Sequence, residues 1–423
     1  MNRLNLLKFL KSKVKSYSQL KNMKTKSIAI LLVAIFKISS SIGQLSTFYV
    51  QPWQTDNAYP ASGDSNYVAI NTSVTSFNKL LFYIGGTNSS PKRTTLFLKL
   101  AANLGYHVIS VAYPNTISIQ TACGSSSDIN CYTNFRQEAC YGTPVSSAIS
   151  IDTLNSLHIR AIKLLQYLNT TYPTQNWGQF IVGNSLDWSK VVTSGHSQGA
   201  GHALYFASIN NIDRCVMFSG ANDFSNFYNA PPSWIYGSFS TAKNRIFSFL
   251  HLQDDGVPYS SQIQVTQALG LWTGGDDSTL VDNLNIPYNN SHLLYTNATP
   301  QSMLITPYHN STVIDMWTPL DNLNNPNFID VWMYLLTTNI ATSISESIGN
   351  INKISIFPNP FTSKIQLKNK AGIEDFVLTN SSGQVIWTGK NVDQQDFSDL
   401  ESGIYFLRVF NQDGQQTIEL IKQ

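Results

Sequence analysis

The densest chemical signal in this sequence is a serine set between glycines, Gly195-His196-Ser197-Gln198-Gly199, which Ala200-Gly201 extends with small residues. It fits the pattern G-x-S-x-G. It follows the apolar run Val191-Val192-Thr193 and precedes Gly201 to Ile209, which reads as a helix. A turn this tight between strand and helix needs small neighbours around the serine, because the helix packs closely on the sheet. Such a turn lifts the hydroxyl above the sheet edge, and the helix N-terminus favours negative charge developing beside it. A serine hydroxyl barely ionises at neutral pH. To act as a nucleophile it requires a base, and that base requires a third group to orient it. The chemistry of such a set is acyl transfer.

The elements that must position these residues are legible as an alternation. Leu80-Leu81-Phe82-Tyr83-Ile84 is an apolar run closed by Gly85-Gly86, and Leu96, Leu98, Leu100 and Ala101 follow at helical spacing before Gly105. Val108 to Ala112 reads as a strand, and Ile159, Ile162, Leu165 and Leu168 mark a helix. Cys215 to Phe218 and Ile246 to Leu250 are two further short apolar runs. Continuous apolar strands alternating with helices predict an α/β fold with a mostly parallel central sheet covered on both faces, spanning residues 45–336.

Two further stretches complete the pattern. Ile84-Gly85-Gly86-Thr87 follows the first apolar run, and Asp254-Asp255-Gly256-Val257-Pro258 follows a later one as a D-x-x-V-P turn. With the glycine-flanked serine and a histidine far downstream, these look like the α/β-hydrolase superfamily over residues 78–336. In that family the chain order is nucleophile, acid, histidine. The resemblance implies Ser197 as nucleophile. Of the histidines after it, His202 falls in the helix, His251 precedes the acid and His292 lies in an Asn-rich loop. His309, in a loop after Met303-Leu304-Ile305 and before Val313-Ile314, is the expected base. Asp254 matches the acid by spacing, Asp255 is its neighbour, and Asp223 occupies the other position the family uses, so all three stay open. The oxyanion is expected to be held by the backbone N–H groups of Gln198 and Gly86. The His-Gly motif usual at the latter place is here Ile84-Gly85, which departs from the family but leaves the backbone donor.

Cys123, Cys131, Cys140 and Cys215 allow three disulfide pairings, among which the sequence does not choose. Three of them lie in a polar stretch, 123–140, too long for an unstapled loop in a compact domain, which reads equally as one wall of a substrate pocket or as a plain surface loop. Metal binding is the weaker reading, since no Cys-x-x-Cys or accompanying histidine pair occurs. No metal site and no cofactor are expected. Trp234, Tyr236 and Trp272 lie in irregular stretches after the serine and are candidates for lining a cleft.

Both ends of the chain read as addresses. Residues 1–43 contain Lys24 and Lys26, an apolar stretch from Ile28 to Phe36, and small residues from Ser39 to Gly43, the pattern of a secretory signal peptide cleaved near Gly43. Met23 stands just before it and is a possible true start. The apolar run is short of the ~20 residues a bilayer span needs, so no stable membrane span is expected after signal removal. A Ser/Thr/Asn-rich linker covers 337–352. Beyond it, alternating pairs such as Ile354/Ile356, Ile365/Leu367, Phe376/Leu378 and Tyr405/Leu407/Val409 are broken by Gly372, Gly383, Gly403 and Gly414. That is the texture of a small all-β sandwich over 353–423. Phe357-Pro358-Asn359-Pro360-Phe361, Gly383-Gln384-Val385, Leu400 to Tyr405 and a terminal Ile421-Lys422 resemble the C-terminal sorting domain of the type IX secretion system of Bacteroidetes. The resemblance implies export across both membranes, release or attachment at the cell surface, and the secretion machinery as a partner.

The 423 residues carry 27 Lys and Arg against 25 Asp and Glu. Nine of the basic residues and none of the acidic ones fall within 1–43, which leaves the remainder at −7. A mature chain of that sign has no general attraction to phosphate backbones, which excludes nucleic acid as an expected partner. The expectation is a secreted serine hydrolase acting on a small-molecule or polymer ester, with a peptidase or amidase on the same residues as the alternative. A non-catalytic glycan-binding or adhesin protein on a hydrolase scaffold is the reading from another class.

Overall fold

The structure, a computed structural model, describes residues 45–61, 63–271, 278–338, 355–368, 375–380, 385–411 and 414–423. The expected signal peptide and Trp272 lie outside the described residues, as does nearly all of the expected linker. The chain divides after Thr338 into two compact units.

The larger unit is built on a sheet of nine strands among the described residues. In chain order they are β1 (Leu45–Val50), β2 (Asn66–Asn71), β3 (Leu80–Ile84), β4 (His107–Ser110) and β5 (Val191–His196), then β6 (Arg214–Phe218), β7 (Ile246–His251), β8 (Ser278–Leu280) and β9 (Leu293–Thr296). Their spatial order is β1-β2-β4-β3-β5-β6-β7-β9-β8. Only β2 runs against the rest, pairing antiparallel with both β1 and β4, and every other neighbouring pair is parallel. All five residues of β3 and all six of β5 are buried, which is why these strands are apolar without alternation. The fold is α/β with a mostly parallel central sheet.

Helices α1 (Thr95–Leu104), α2 (Ile119–Cys123), α3 (Cys131–Tyr141), α4 (Leu157–Thr171) and α5 (Gln198–Ile209) connect the first six strands. Helices α6 (Tyr259–Leu269), α7 (Pro307–Asn310) and α8 (Ile329–Thr337) follow. Helix α1 stops at Gly105, whose φ of 109° is the left-handed conformation that closes a helix. Helix α4 begins where the Ser156 hydroxyl accepts from Ile159 N at 3.4 Å, and it buries Leu157, Ala161, Leu164, Leu165 and Leu168 on one side.

The cysteine-rich stretch departs from the sequence reading. It is not a structureless loop but the helix pair α2 and α3 with a short connection. Helix α3 buries Cys131, Tyr132, Phe135 and Ala139, a stripe at helical spacing that packs with Ile119 and Ile151 in a small core of its own. With Arg136 and Glu138 interleaved, the segment is easily read as polar. Cys123 and Cys131 form the disulfide that ties the two helices, while Cys140 and Cys215 are buried free thiols.

In the smaller unit, β10 (Ser355–Phe357) and β11 (Gln366–Lys368) form one antiparallel pair. A four-stranded antiparallel sheet follows, with β12 (Asp375–Asn380), β13 (Val385–Gly389), β14 (Gly403–Asn411) and β15 (Gly414–Lys422) in the order β13-β12-β14-β15. Phe361, Ile365, Phe376, Leu378, Leu407 and Leu420 make its core, with Ile356 and Leu367 of the first pair packed against it.

Candidate active site

Ser197 stands at the end of β5 with φ 55° and ψ −122°, a conformation that costs a non-glycine residue of order 1–3 kcal/mol. The surroundings hold it there. Its N–H donates to Phe218 O of the neighbouring strand at 2.9 Å, and its carbonyl accepts from Ala200 N at 3.0 Å as α5 begins. The flanking glycines are required by close approach. A Cβ on Gly195 would run into the Gly199 carbonyl, and one on Gly199 into the carbonyls of Ile84 and Gly85. Helix α5 therefore touches the loop after β3 backbone to backbone, and only glycine permits that contact.

That loop forms one side of the site. An added Cβ on Gly86 would lie 3.1 Å from Ser197 Cβ and 3.0 Å from His196 O, so the Gly86 backbone abuts the serine. Asn115 Nδ2 donates to the carbonyls of Gly86 and Ser89, both at 2.8 Å, and Tyr113 OH donates to Gly85 O at 2.7 Å. The Gln198 side chain links this loop to the helix pair, accepting from Thr87 Oγ1 at 3.1 Å and Ile119 N at 2.7 Å. Gln198 is the first residue of α5, where backbone N–H groups have no partner within the helix.

His309 lies in α7, a single helical turn, rather than in the open loop that the sequence suggested. Pro307 starts that turn, at the position where a missing N–H costs nothing. His309 Nδ1 lies 2.9 Å from Asp254 Oδ1 and 2.8 Å from Oδ2. A carboxylate only accepts, so Nδ1 carries a proton and Nε2 is the ring nitrogen left for another partner. Asp254 also accepts from Gly256 N, Val257 N and Gln262 Nε2, each at 2.8 or 2.9 Å. Burial alone would raise its pKa, but the hydrogen bond and charge of His309, with those from Val257 and Gln262, hold it below the ordinary carboxylate value. A Cβ on Gly256 would come within 2.6 Å of His309 Cγ, so this turn too is in direct contact with the imidazole.

The other two acid candidates sit elsewhere. Asp255 accepts from the backbone N–H of His309 at 3.1 Å and does not reach the ring. Asp223 is fully buried against Arg136, which donates to it through Nε at 3.1 Å and through Nη2. Arg136 also donates from Nη1 to Gln198 O at 2.6 Å. Sequence reasoning does not single out Arg136, Tyr113 or Asn115; the one signal that could have found Arg136 is a charged residue among the apolar positions of α3.

His196 supports the His309 backbone. Its Nε2 lies 3.0 Å from His309 O, a bond it can only donate, and Ser219 Oγ donates to the same carbonyl at 2.7 Å. Burial, and then the neighbouring His309, lower the His196 pKa to about 3, so this imidazole stays neutral.

Ser197, His309, Gln198 and Gly86 border one cavity of about 550 Å³, closed on other sides by Ile119, Val257, Ile305, Ile314 and Trp317. Among the described residues no hydrogen bond joins Ser197 Oγ to His309, in keeping with sites that tighten only around substrate. Of the aromatic candidates, Trp234 packs against Tyr205 and Phe239, and Tyr236 is exposed; neither borders this cavity.

A family model described as the secretion system C-terminal sorting domain matches residues 355–423. These residues are a type IX secretion sorting domain, and the protein is exported, to be released or attached at the cell surface. No helix among the described residues is long and apolar enough to cross a membrane. No curated protein matches the chain. Among solved structures, one similar chain is PorZ of Porphyromonas gingivalis, an essential bacterial surface component of the type-IX secretion system. That match has 14% identity and a TM-score of 0.16, covering 19% of this chain and only 12% of PorZ. Another is a putative dienelactone hydrolase from Klebsiella pneumoniae subsp. pneumoniae, at 11% identity and a TM-score of 0.29, over 60% of this chain and 85% of that one.

Proposed function

We propose that the protein is an exported serine hydrolase of the α/β-hydrolase superfamily that cleaves carboxylic esters through an acyl-enzyme. In this reading 1–43 are a signal peptide, 45–336 the hydrolase domain, 337–352 a linker and 353–423 the sorting domain. The observation that carries the reading is that His309, paired with Asp254, borders the same cavity as Ser197, a serine held at positive φ on a strand-to-helix turn.

Ser197 Oγ attacks the acyl carbon while His309 Nε2 takes its proton, and Asp254 stabilises the imidazolium through Nδ1–H. The oxyanion is met by the N–H groups of Gln198 and Gly86, reinforced by the N-terminus of α5. Collapse of the intermediate expels the alcohol, which receives the proton from His309. Water then attacks the acyl-enzyme with His309 as base, releasing the acid and restoring Ser197. The backbone donors are in place before charge develops, and the Ser197–His309 contact closes around the substrate.

A burst of p-nitrophenol from p-nitrophenyl acetate, and labelling by a fluorophosphonate, are both expected to vanish in Ser197→Ala. Full activity in that variant would reject the reading. A folded protein that neither turns over esters nor takes the label would be a binding protein on this scaffold. Parallel assays on peptide substrates separate an esterase from an amidase.

A further inference from the structure

The segment beside α7 presents apolar side chains to water. Met303, Leu304 and Ile305 are consecutive and 60%, 63% and 83% exposed. Their backbone is neither relaxed nor loose. Ile305 has φ 24° and Thr306 φ 46°, a region where β-branched residues are outliers. Neighbours hold this geometry: Trp317 Nε1 donates to Leu304 O at 2.5 Å, and Asn310 Nδ2 donates to the carbonyls of Ile305 and Thr306 at 3.1 and 3.0 Å. Gln301 N in turn donates to Trp317 O at 2.9 Å. A fold that fixes strained backbone in order to expose three large apolar groups is presenting them to something.

Their position says what covers them. Ile305 and Thr306 border the cavity that holds Ser197 and His309, and Ile314 and Trp317 continue its apolar side inward. From Asn297 to Ile314 the sequence has no Asp, Glu, Lys or Arg, so this rim offers no ionic handle. The exposed segment is thus continuous with the cavity that holds Ser197 and is itself uncharged and apolar, while Arg93 is the charged side chain that lines the cavity itself. At about 550 Å³, the cavity lies in the range that takes a drug-sized ligand.

Resting on the hydrolase reading, we propose that Met303, Leu304 and Ile305 form a rigid lip that recognises the substrate's apolar chain, so that the preferred substrates are soluble esters with an extended hydrocarbon group. Chain atoms leaving the cavity run over the lip and bury it, and each methylene that does so strengthens binding severalfold. The lip gives nothing to an acetyl or ethyl group, which ends inside the cavity.

The test uses two substrate series on the exported chain: p-nitrophenyl esters from acetate to decanoate, and acetates of ethanol to decanol. Below their micellar thresholds, kcat/KM is expected to climb along at least one series. In Met303→Ser/Leu304→Ser, which lie outside the cavity lining, it should fall about tenfold for the longest member, through KM, and stay unchanged for the shortest. Both side chains are exposed, so the melting temperature should hold, and Met303→Ser alone should give a smaller loss of the same kind. A flat profile in both series, or equal losses on short and long esters, would overturn the lip while leaving the hydrolase intact. Activation confined to micellar substrate would overturn it in favour of a lipid surface. No turnover of any ester, with no fluorophosphonate labelling of Ser197, would overturn the hydrolase reading and the lip with it.

Discussion

Arg136 of the disulfide-tied helix pair donates to the carbonyl of Gln198, the residue after the candidate nucleophile, at 2.6 Å, while its remaining nitrogens are neutralised by Asp223 in a fully buried ion pair. The glycine at 201 exists for this contact, because a Cβ there would collide with the guanidinium. The helix pair is thus the buttress of the serine turn from behind. Removing one partner leaves the other buried and unpaired. Arg136→Gln and Asp223→Asn are each expected to lose about 3–5 kcal/mol in urea denaturation, whereas Arg136→Met/Asp223→Leu should lose less than either. Equal losses in all three would mean that the charges are irrelevant.

Strain at Ser197 makes a prediction that separates function from stability. Alanine keeps the unfavourable φ of 55°, while glycine is at ease there. Ser197→Gly and Ser197→Ala should both be inactive. The glycine variant should be the more stable by about 1 kcal/mol, read from thermal melts.

The two adjacent aspartates should behave very differently. In Asp254→Asn the amide no longer fixes Nδ1–H on His309, and kcat/KM for a simple ester should drop by about a thousandfold or more. Asp255→Asn loses only a bond to the His309 backbone N–H and should lose less than tenfold. Gly256→Ala should also be impaired with its fold retained, because the new methyl pushes on the imidazole. Reversal of the two aspartate effects would assign the acid to Asp255.

Thiol counting tests the cysteine arrangement. Burial pushes the Cys215 thiol up to about 12, and Cys140 higher still, so neither presents a thiolate at neutral pH. Of the four cysteines, none should react with iodoacetamide in the native protein, two after unfolding and four after unfolding with reductant. Reduction should lower stability by about 2–3 kcal/mol, the entropy of closing a short loop.

Acid should destabilise the fold well above the carboxylate range. Burial lowers His196 to about 3 and His158 to about 4, and burial with Arg136 nearby holds His202 well below the usual value. An unfolded histidine titrates near 6.5, so between that pH and its folded value the unfolded chain binds the extra proton. Stability is therefore complete above about pH 6.5 and is lost as pH falls towards 4 and 3, by up to about 1.4 kcal/mol per unit for each such group. Asp254, with its lowered pKa, adds a loss only below about pH 4. Urea midpoints against pH would show the slope, and His158→Gln, away from the cavity, should flatten it.

Much of this was readable from letters because it is local. The glycines around Ser197, the unbroken apolar strands and the paired β-residues of the tail are short-range patterns, each tied to a backbone geometry that few other residues allow. The sorting domain was legible in the same way. The helices α2 and α3 were not, since the apolar stripe of α3 is interleaved with Arg136 and Glu138 and gains its meaning only from Ile119 and Ile151 packed against it. Strand β9 was missed because Leu293 to Thr296 is short and is a strand by virtue of pairing with β7.

The sequence by itself determined the α/β alternation, the turn that raises Ser197 and the address carried by the tail. Only the tertiary structure decided which carboxylate meets His309, since spacing favours Asp254 over its neighbour Asp255 without excluding it, and the turn after β7 points Asp254 at the ring and Asp255 at the backbone. It likewise decided that Cys123 joins Cys131, that Arg136 reaches Gln198, and that Met303 to Ile305 face water beside the cavity. Each of these depends on where residues distant in the chain come to rest, and a linear pattern carries no distances.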